Sequence, residues 1–373
     1  MKKILQKILL CLILILFCLV NLGCWDIHDI GRRAIITAIG IDKREETSSS
    51  YNFTFEIIKP ASIKDEAQET ANIIETVEGT SLREAMEKLQ VKVSRLTFLG
   101  HLRVVLIGEN AGKKSFKDIG DMIFREPQIA SRVRLMFVQN GEAKDILEVK
   151  PRLSKYVADE LVHMTQLEYE LPLVRNQPFY QFINELRSTK GRGLATRVLA
   201  TENNKTIVLD GGAVFNNWEL IDWLSSAETR AANWLVAKPN ATVVGNLDKG
   251  IFTFRSDRKK LSIKPLRHEN GPRVLISLDI KGEILSKQGS TLDLTKLDNI
   301  KKLERLFSQV ITNQIRAAVK KSQTTGVDYL GIGNGVQRKD AKLYKSIKWE
   351  EVYPTIPITI QVNTEIERYG LLE

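Results

Sequence analysis

The stretch LDNIKKLERLFSQVITNQIRAAVKK, residues 297–321, is the longest helical pattern in the chain and decides the fold class together with the last strand pattern. Its apolar residues recur every three or four positions, which predicts one apolar stripe along a helix. In TIPITIQVNTEIE, residues 355–367, Ile and Val alternate with other residues, as in a strand with one apolar face. A long helix lying across an antiparallel sheet would bury both apolar surfaces, so we expect an α+β protein.

Upstream of this helix, strand and helix patterns alternate. Strand patterns lie at 34–42, 51–58, 102–108 and 131–138, and the first two suggest a meander. Helix patterns lie at 81–95, 115–124 and 177–186. The first of these helices opens with Ser81-Leu-Arg-Glu84, a capping box in which each side chain accepts a hydrogen bond from a backbone N–H at the other end. We therefore expect several domains, with largely antiparallel sheets that are each packed with helices.

A change in composition divides the chain from residue 24 onward into two parts. Residues 191–205 are rich in Gly, Thr and Asn, which predicts a linker between an N-terminal α+β region (24–190) and a C-terminal α+β domain (206–373). Within the second domain, Asn216-Asn217 lies between two alternating runs and predicts a hairpin turn, because Asn tolerates positive φ. Further patterns there predict a short helix at 227–235 and strands at 251–254, 260–264 and 274–280.

Composition limits the classes of protein and partner. The chain has 373 residues, 43% hydrophobic and 27% charged, which is typical of a folded globular protein. The formal net charge of +10 is spread along the chain, with little aromatic interleaving. A spread charge of this size does not predict binding to nucleic acid. Cys11, Cys18 and Cys24 are the three cysteines, so residues 25–373 contain no thiol for a disulfide or a thiolate metal site.

The N-terminus has the pattern of an export signal. Lysines near the start precede an apolar run at 8–22, and the small residue Gly23 precedes Cys24. This is the pattern at which signal peptidase II cuts between Gly23 and Cys24 in bacterial lipoproteins, so we expect residues 1–23 to be the signal peptide. Cys24 would carry diacylglycerol on its sulfur, with its new amino group open to N-acylation, and Trp25 would lie at the head groups.

An uncleaved membrane helix is the alternative for this segment. Fifteen residues in a helix span about 22 Å, against a hydrocarbon core of about 30 Å, so such a span would be tight. Asn21 departs from the lipoprotein pattern, which usually has Leu, Val or a similar residue three positions before the cysteine. Both alternatives place the bulk of the chain outside the cytoplasm.

No pattern in the sequence predicts catalysis, a cofactor or a metal. The four histidines, at positions 28, 101, 163 and 268, are too far apart to place two ligands on one helical face. Gly331-Ile-Gly333-Asn-Gly335 is similar to a phosphate loop, but Val336 stands where the last glycine would be. We interpret this run as a turn after the long helix, and we expect no enzyme activity.

The order of four sequence blocks resembles the Ger(x)C family of spore germination lipoproteins. The first block is CWDIHDIGRRAIITAIGID (24–42), and the second is the segment 100–147, which begins GHLRVVLIGENAG. The third is GGAVFNNWELIDWLSSAETRAANWL (211–235), and the fourth is 328–370 together with the helix before it. The resemblance covers essentially the whole chain from Cys24 onward.

This resemblance implies about three α+β domains and a non-enzymatic role. It implies that this chain is the lipid-anchored C subunit of a nutrient germinant receptor, on the outer face of the spore's inner membrane. Its implied partners are membrane lipid, through Cys24, and two polytopic membrane subunits. The resemblance implies no catalytic, metal or cofactor residue.

Two other functions stay open from the sequence. A solute-binding lipoprotein of a transporter would need two lobes and a hinge, and the doubly wound pattern of such lobes is missing. An extracytoplasmic hydrolase would need a cluster of catalytic side chains, which the sequence does not suggest.

Overall fold

The computed structural model describes residues 4, 6–8 and 10 and then residues 32–369, apart from 44–48, 60–71, 167–173, 176, 202–205, 237–240 and 270. The strands are β1 (Arg33–Lys43), β2 (Tyr51–Ile58), β3 (Asn72–Gly79), β4 (Leu96–Phe98), β5 (Val104–Ile107), β6 (Arg134–Val138), β7 (Gly193–Thr201), β8 (Thr206–Asn216), β9 (Glu219–Leu224), β10 (Thr242–Leu247), β11 (Gly250–Leu266), β12 (Arg273–Gln288) and β13 (Ile358–Tyr369). The helices are α1 (Leu82–Val93), α2 (Glu109–Phe124), α3 (Ala143–Leu147), α4 (Val157–Gln166), α5 (Phe179–Ser188), α6 (Ser226–Val236), α7 (Leu297–Thr325), α8 (Ile332–Lys339), α9 (Ala341–Ser346) and α10 (Trp349–Val352). The α+β class is confirmed.

Among the described residues, nine strands form the first sheet, in the order β3-β2-β1-β5-β6-β7-β8-β9, with β4 beside β1. The predicted meander is confirmed, because β1, β2 and β3 pair antiparallel. The middle of the sheet is different, since β1, β5, β6 and β7 are parallel to one another. Parallel neighbours need a crossover, and α2 supplies the one between β5 and β6.

Helices cover both faces of this sheet. The central strand β5 is buried along its whole length, and its side chains alternate between the faces. Val105 and Ile107 belong to a core with α1, α2 and α5, whereas Val104 and Leu106 belong to a core with α3 and α4. Burial on both faces explains why VVLI is uninterrupted by polar residues.

The second sheet has the order β10-β11-β12-β13, and α7 packs against it as predicted. The buried residues of α7 form one stripe: Ile300, Leu303, Phe307, Ile311, Ile315, Ala318, Val319 and Ser322. Leu297, which the pattern placed in this stripe, is 65% exposed because it is the first residue of the helix. β13 is parallel to β12, whereas β10, β11 and β12 pair antiparallel.

The prediction that residues 191–205 form a linker is wrong for residues 193–201. These residues form β7, which pairs with β6 on one side and β8 on the other. Leu194 and Val198 are fully buried, and Ala195 and Thr196 between them are each only 3% exposed. The Gly and Thr content suggested a loop, but packing in the middle of a sheet overrides this composition.

β8 and β9 also belong to the first sheet, so a boundary at residue 206 cuts through this sheet. The number of domains and their exact limits stay predictions. The predicted hairpin between these strands is confirmed, with positive φ at Asn217 and Trp218.

Three other predicted elements differ in detail. The helix expected at 115–124 begins at Glu109, and the two short strands expected at 251–254 and 260–264 are one strand, β11. At the start of α1, Ser81 Oγ accepts from Glu84 N at 3.2 Å, as the capping box predicts. The Glu84 carboxylate instead accepts from the backbone N–H of Thr80, at 2.8 Å, one residue before the predicted donor.

Gly23, Cys24 and Trp25, which carry the predicted cleavage, lipidation and head-group contacts, lie outside the described residues. Within the described ranges, none of the helices combines the length and the apolar character that a membrane crossing requires.

Candidate functional site

No three side chains of His, Cys, Asp or Glu in the described part of the chain are grouped closely enough to bind a metal. His101, His163 and His268 lie in separate places in the fold, on the loop before β5, on α4 and after β11. Four polar features of the described residues are considered in turn: the buried carboxylates of Asp42 and Glu56, a junction around Asp328 between the two sheets, and one open pocket.

The glycine run 331–335 lies beside Asp328, at the junction between the two sheets. Asp328 follows α7, and its carboxylate accepts from the backbone N–H groups of Ile332 and Gly333, at 2.9 and 2.6 Å, and from Trp349 Nε1 at 2.9 Å. The run is therefore the N-terminus of α8 and not a phosphate loop, because a side chain of the protein occupies its N–H groups. A Cβ at position 333 would lie 2.4 Å from Trp349 Nε1, so only Gly fits there.

Charged side chains of the N-terminal region reach this junction. Arg192 and Lys190, which precede β7, both contact Glu350 Oε1 on α10, at 2.9 and 3.2 Å. Burial raises the pKa of Asp328, and the three donated hydrogen bonds oppose this rise. We call Asp328, Gly333, Trp349, Arg192 and Glu350 the Asp328 junction, which ties the residues before β7 to the end of the second sheet.

A second carboxylate closes the carboxyl ends of the parallel strands. Asp42, at the end of β1, accepts from the backbone N–H groups of Ala143 and Lys144 at 2.7 and 3.1 Å and so caps α3. Ligands of open α/β sheets commonly bind at these strand ends. Here a Cβ at Gly108 would lie 2.0 Å from Asp42 Oδ1, so the crevice is filled by the protein itself. Burial raises the pKa of Asp42 to about 7, and the nearby carboxylates Glu142 and Asp145 add to the rise.

Glu56, on β2, is fully buried and caps α4. Its carboxylate accepts from the backbone N–H groups of Val157 and Ala158, at 2.7 and 3.1 Å. The hydroxyl of Thr37 and the amide of Asn72 also donate to it, at 2.7 and 2.8 Å. Four donors satisfy this carboxyl group, which explains how a polar side chain is tolerated in the core.

An open pocket lies at the opposite end of the parallel strands, beside the start of α4. Its volume is about 380 Å³, and its lining residues are Thr37, Ile58, His101, Leu102, Arg103, Arg132, Arg134, Tyr156, Asp159 and Val162. Arg103 and Asp159 form an ion pair across it. We call this cavity the arginine pocket.

The sequence contains a pattern for this pocket that matches no known motif. His101-Leu-Arg103 and Arg132-Val-Arg134 each place two basic residues around one buried apolar residue, directly before or at the start of a buried strand. The two strands are parallel neighbours, so the segments that lead into them lie side by side. The two basic pairs are therefore brought together at one sheet edge.

Two family models match the chain, one after the other. Residues 26–200 match the model described as "Spore germination protein N-terminal domain", and residues 210–370 match "Spore germination B3/ GerAC like, C-terminal". The two matches meet between residues 200 and 210, close to the predicted domain boundary.

Curated relatives match over nearly the full length. Spore germination protein KC of Bacillus subtilis (strain 168) is 24% identical over 98% of this chain and 97% of its own length. The putative spore germination protein YfkR of the same organism is 24% identical over 100% and 98%. Spore germination protein GerQC of Bacillus cereus is 20% identical over 80% and 83%.

A solved structure shares the fold. The structure titled "Crystal Structure of the GerBC protein" has a TM-score of 0.59 and 16% identity, and the match covers 88% of this chain and 96% of that one. At this identity the likeness concerns the fold alone. The two family models and the full-length relatives establish the identity: the chain belongs to the Ger(x)C family of spore germination proteins.

Proposed function

We propose that this protein is a non-enzymatic, lipid-anchored subunit of a spore nutrient germinant receptor, needed for assembly of the receptor or for signalling during germination. The observation that carries the proposal is the match of both family models, in order, over almost the whole chain. The name of the relative GerQC, a spore germination protein, supports the same process. The solute-binding alternative gains no support from these relatives.

The proposed location is the outer face of the spore's inner membrane. Cys24, preceded by Gly23 and the apolar run, would carry the lipid, and Trp25 would lie at the head groups. Only eight residues separate Cys24 from Arg33, where β1 begins. At about 3.3–3.6 Å per residue, this segment would keep the start of β1 within about 30 Å of the bilayer. Two polytopic membrane subunits are the proposed partners at this surface.

The construction of the fold is consistent with a subunit that works by contact. Asp42 fills the strand ends at which many α/β proteins bind substrate, and Asp328 occupies the glycine-rich turn. At the Asp328 junction, the ion pair of Arg192 with Glu350 connects the residues before β7 to α10, beside the buried carboxylate of Asp328. We infer that a partner that binds one half of the molecule can act on the other half through this junction.

The test is the variant Cys24→Ala in the sporulating organism, with Cys18→Ala as the matched control. We expect Cys24→Ala to leave an unprocessed precursor without incorporated palmitate and to weaken the germination response to one set of nutrients. Cys18→Ala keeps the predicted lipidated cysteine, so it should retain normal labelling and germination. Normal palmitate labelling of Cys24→Ala would contradict the proposed anchor. Unchanged responses to every nutrient after deletion of the whole gene would contradict the proposed receptor role.

A further inference from the structure

A second open cavity lies at the start of β1, where the chain arrives from the predicted anchor. Its volume is about 400 Å³, and its lining includes Arg33 of β1, Arg83 of α1, and Leu96 and Phe98 of β4. We call it the β1 cavity. Eight residues separate Arg33 from Cys24, the residue that would carry the lipid. The anchor would therefore hold the β1 cavity close to the bilayer.

Positive charge exceeds negative charge at the β1 cavity. Within the described part of the chain, no carboxylate lines it. The guanidinium of Arg33 lies over the ring of Phe98, 4.6 Å from the ring centroid. Such stacking uses the face of the guanidinium and leaves the N–H donors in its plane open to an oxyanion. Arg83 Nε is 3.5 Å from Glu87 Oε1 in an exposed pair, so this carboxylate offsets only one of the two arginines.

Apolar side chains lie beside these arginines. Leu96 and Phe98 are separated by one residue of β4 and both line the cavity. Leu96 is 48% exposed, so much of its surface has no cover in the folded chain. Arginine beside exposed aliphatic and aromatic side chains suits the membrane interface, where guanidinium groups bind lipid phosphates and apolar side chains enter between the head groups.

We propose that the β1 cavity docks on the surface of a bilayer that contains anionic phospholipid. Arg33 and Arg83 bind lipid phosphate groups, and Leu96 enters the head-group region. This inference rests on the proposed lipid anchor at Cys24, and it adds which face of the protein lies on the membrane. Because a short tether raises the effective concentration of this face at the bilayer, two arginines and one leucine are sufficient for docking.

The experiment places a nitrobenzoxadiazole fluorophore, which brightens in apolar surroundings, on one thiol of the processed, lipidated chain in liposomes. Cys11 and Cys18 leave with the signal peptide and the thiol of Cys24 is acylated, so an introduced cysteine is the only free thiol. Leu96→Cys carries the reporter. Leu153→Cys is the matched control, because Leu153 is 97% exposed and lies beside α4, which covers the opposite face of the first sheet.

The expected result is a difference between the two labelled positions. The label at position 96 should be several-fold brighter in liposomes of phosphatidylcholine with phosphatidylglycerol than in liposomes of phosphatidylcholine alone. The label at position 153 should be equally bright in both. Sodium chloride at high concentration should reduce the signal at position 96, because salt screens the attraction between arginine and anionic lipid.

Charge variants in the Leu96→Cys background test the role of the arginines. Arg33→Gln removes one phosphate-binding group and should shift the equilibrium from docked to undocked chains about fivefold. Glu87→Gln removes the carboxylate beside Arg83 and should shift it in the opposite direction. Arg305→Gln is the matched control, since Arg305 is an exposed arginine on α7, and it should leave the signal unchanged. Opposite effects of Arg33→Gln and Glu87→Gln cannot come from general misfolding.

Sedimentation of the chain with the liposomes is measured separately and tests the anchor itself. If the chain sediments with the liposomes but the labels at positions 96 and 153 respond alike, the anchor stands and the proposed docking face is wrong. Equal losses in Arg33→Gln and Arg305→Gln would also overturn the docking face. A chain that does not sediment with the liposomes contradicts the anchor and, with it, this inference.

Discussion

At the scale of single residues, buried carboxylates fix the positions of three helices in the described part of the chain. Asp42, Glu56 and Asp328 each accept hydrogen bonds from the first N–H groups of a helix, in α3, α4 and α8. These N–H groups have no partner inside the helix, so a carboxylate that reaches them from another element fixes the position of the helix. Each of these side chains joins parts of the sequence that local patterns treat separately.

Asp42 makes the stability of the folded chain depend on pH. Its pKa is raised from 3.8 to about 7 in the folded chain because it is buried. Between these values the unfolded chain loses the proton and the folded chain keeps it, so stability falls as the pH rises and then levels off above about 7. In Asp42→Asn, a neutral side chain keeps an acceptor for Ala143 N, so this part of the pH dependence should disappear.

The measurement is the free energy of unfolding in urea at pH 5 and pH 8, for the unaltered chain and for Asp42→Asn. From pH 5 to 8, the unaltered chain should lose about 2–3 kcal/mol relative to the variant. Other buried carboxyls, such as Asp328, whose pKa is also raised, are common to both proteins and cancel in the comparison. Parallel stability changes in the two proteins would show that Asp42 does not titrate in this range.

The arginine pocket and the Asp328 junction show how far a candidate site could be predicted from the residues. The Gly331–Gly335 run stood out, but its partners Asp328 and Trp349 are recognised only when the chain has folded around them. The basic pairs around Leu102 and Val133 could have been found, because they precede two buried strand patterns. Whether these strands are neighbours depends on the sheet order, which local periodicity does not encode.

At the scale of elements, strongly periodic patterns are sufficient to predict a helix or strand, and weakly periodic patterns are not. The stripe of α7, the capping residue of α1 and the β8–β9 turn follow from side-chain spacing and from backbone preferences. β7 was missed because GLATRVLAT has small residues and glycine, and its burial comes from neighbours on both sides. The sequence pattern also did not predict the parallel strands in the middle of the first sheet. Strand direction there is fixed by the crossover helices and not by composition.

The edge strand β13 is protected by α7 in a way that can be tested. The backbone N–H groups of Thr364 and Ile366 donate to Ser308 Oγ and Glu304 Oε1, both at 3.0 Å. These helix side chains take the place of a further strand along this part of the edge. Ser308→Ala leaves the amide of Thr364, a residue only 3% exposed, without its acceptor. We expect a loss of about 1–2 kcal/mol in the free energy of unfolding.

Two measurements check this prediction, the urea unfolding curve and the hydrogen exchange rate of the Thr364 amide. Both should change in Ser308→Ala, and the amide should exchange faster. Lys302→Ala, on the exposed side of the same helix, serves as the control for a change of helix propensity. If the two variants unfold at the same urea concentration and the amide is equally protected, the contact contributes nothing to the edge.

At the scale of the whole molecule, the first sheet extends past the point where the two family matches meet. β8 and β9 lie beyond residue 200, yet they complete the sheet that β1 to β7 begin. Phe215, on β8, belongs to a cluster with Phe116, Phe137 and Phe182, with ring centroids 4.6–5.3 Å from its own. On the other face, Val214 and Leu224 pack into the core of the second sheet. The strands after residue 200 therefore stabilise both halves of the protein.

This sharing predicts how fragments of the chain will fold. A fragment of residues 32–200 has β7 without its antiparallel neighbour and the aromatic cluster without Phe215. A fragment of residues 32–224 keeps both, together with Leu220, which lies against Gly112 of α2. We expect the longer fragment to unfold cooperatively in urea and the shorter one to show no cooperative transition, because losing a buried aromatic side chain alone costs about 3–5 kcal/mol.

Circular dichroism during urea unfolding tests both fragments. The variant Phe215→Ala in the longer fragment separates the contribution of the Phe215 ring from that of the β7–β8 pairing. This variant keeps the β7–β8 pairing and loses only the ring, so it should unfold cooperatively at a lower urea concentration than the unaltered longer fragment. If residues 32–200 unfold as cooperatively and at the same urea concentration as residues 32–224, the first half is complete without β8 and β9. In that case the stability of residues 32–200 does not depend on β8 and β9. The Asp328 junction would then join two halves that are each stable alone.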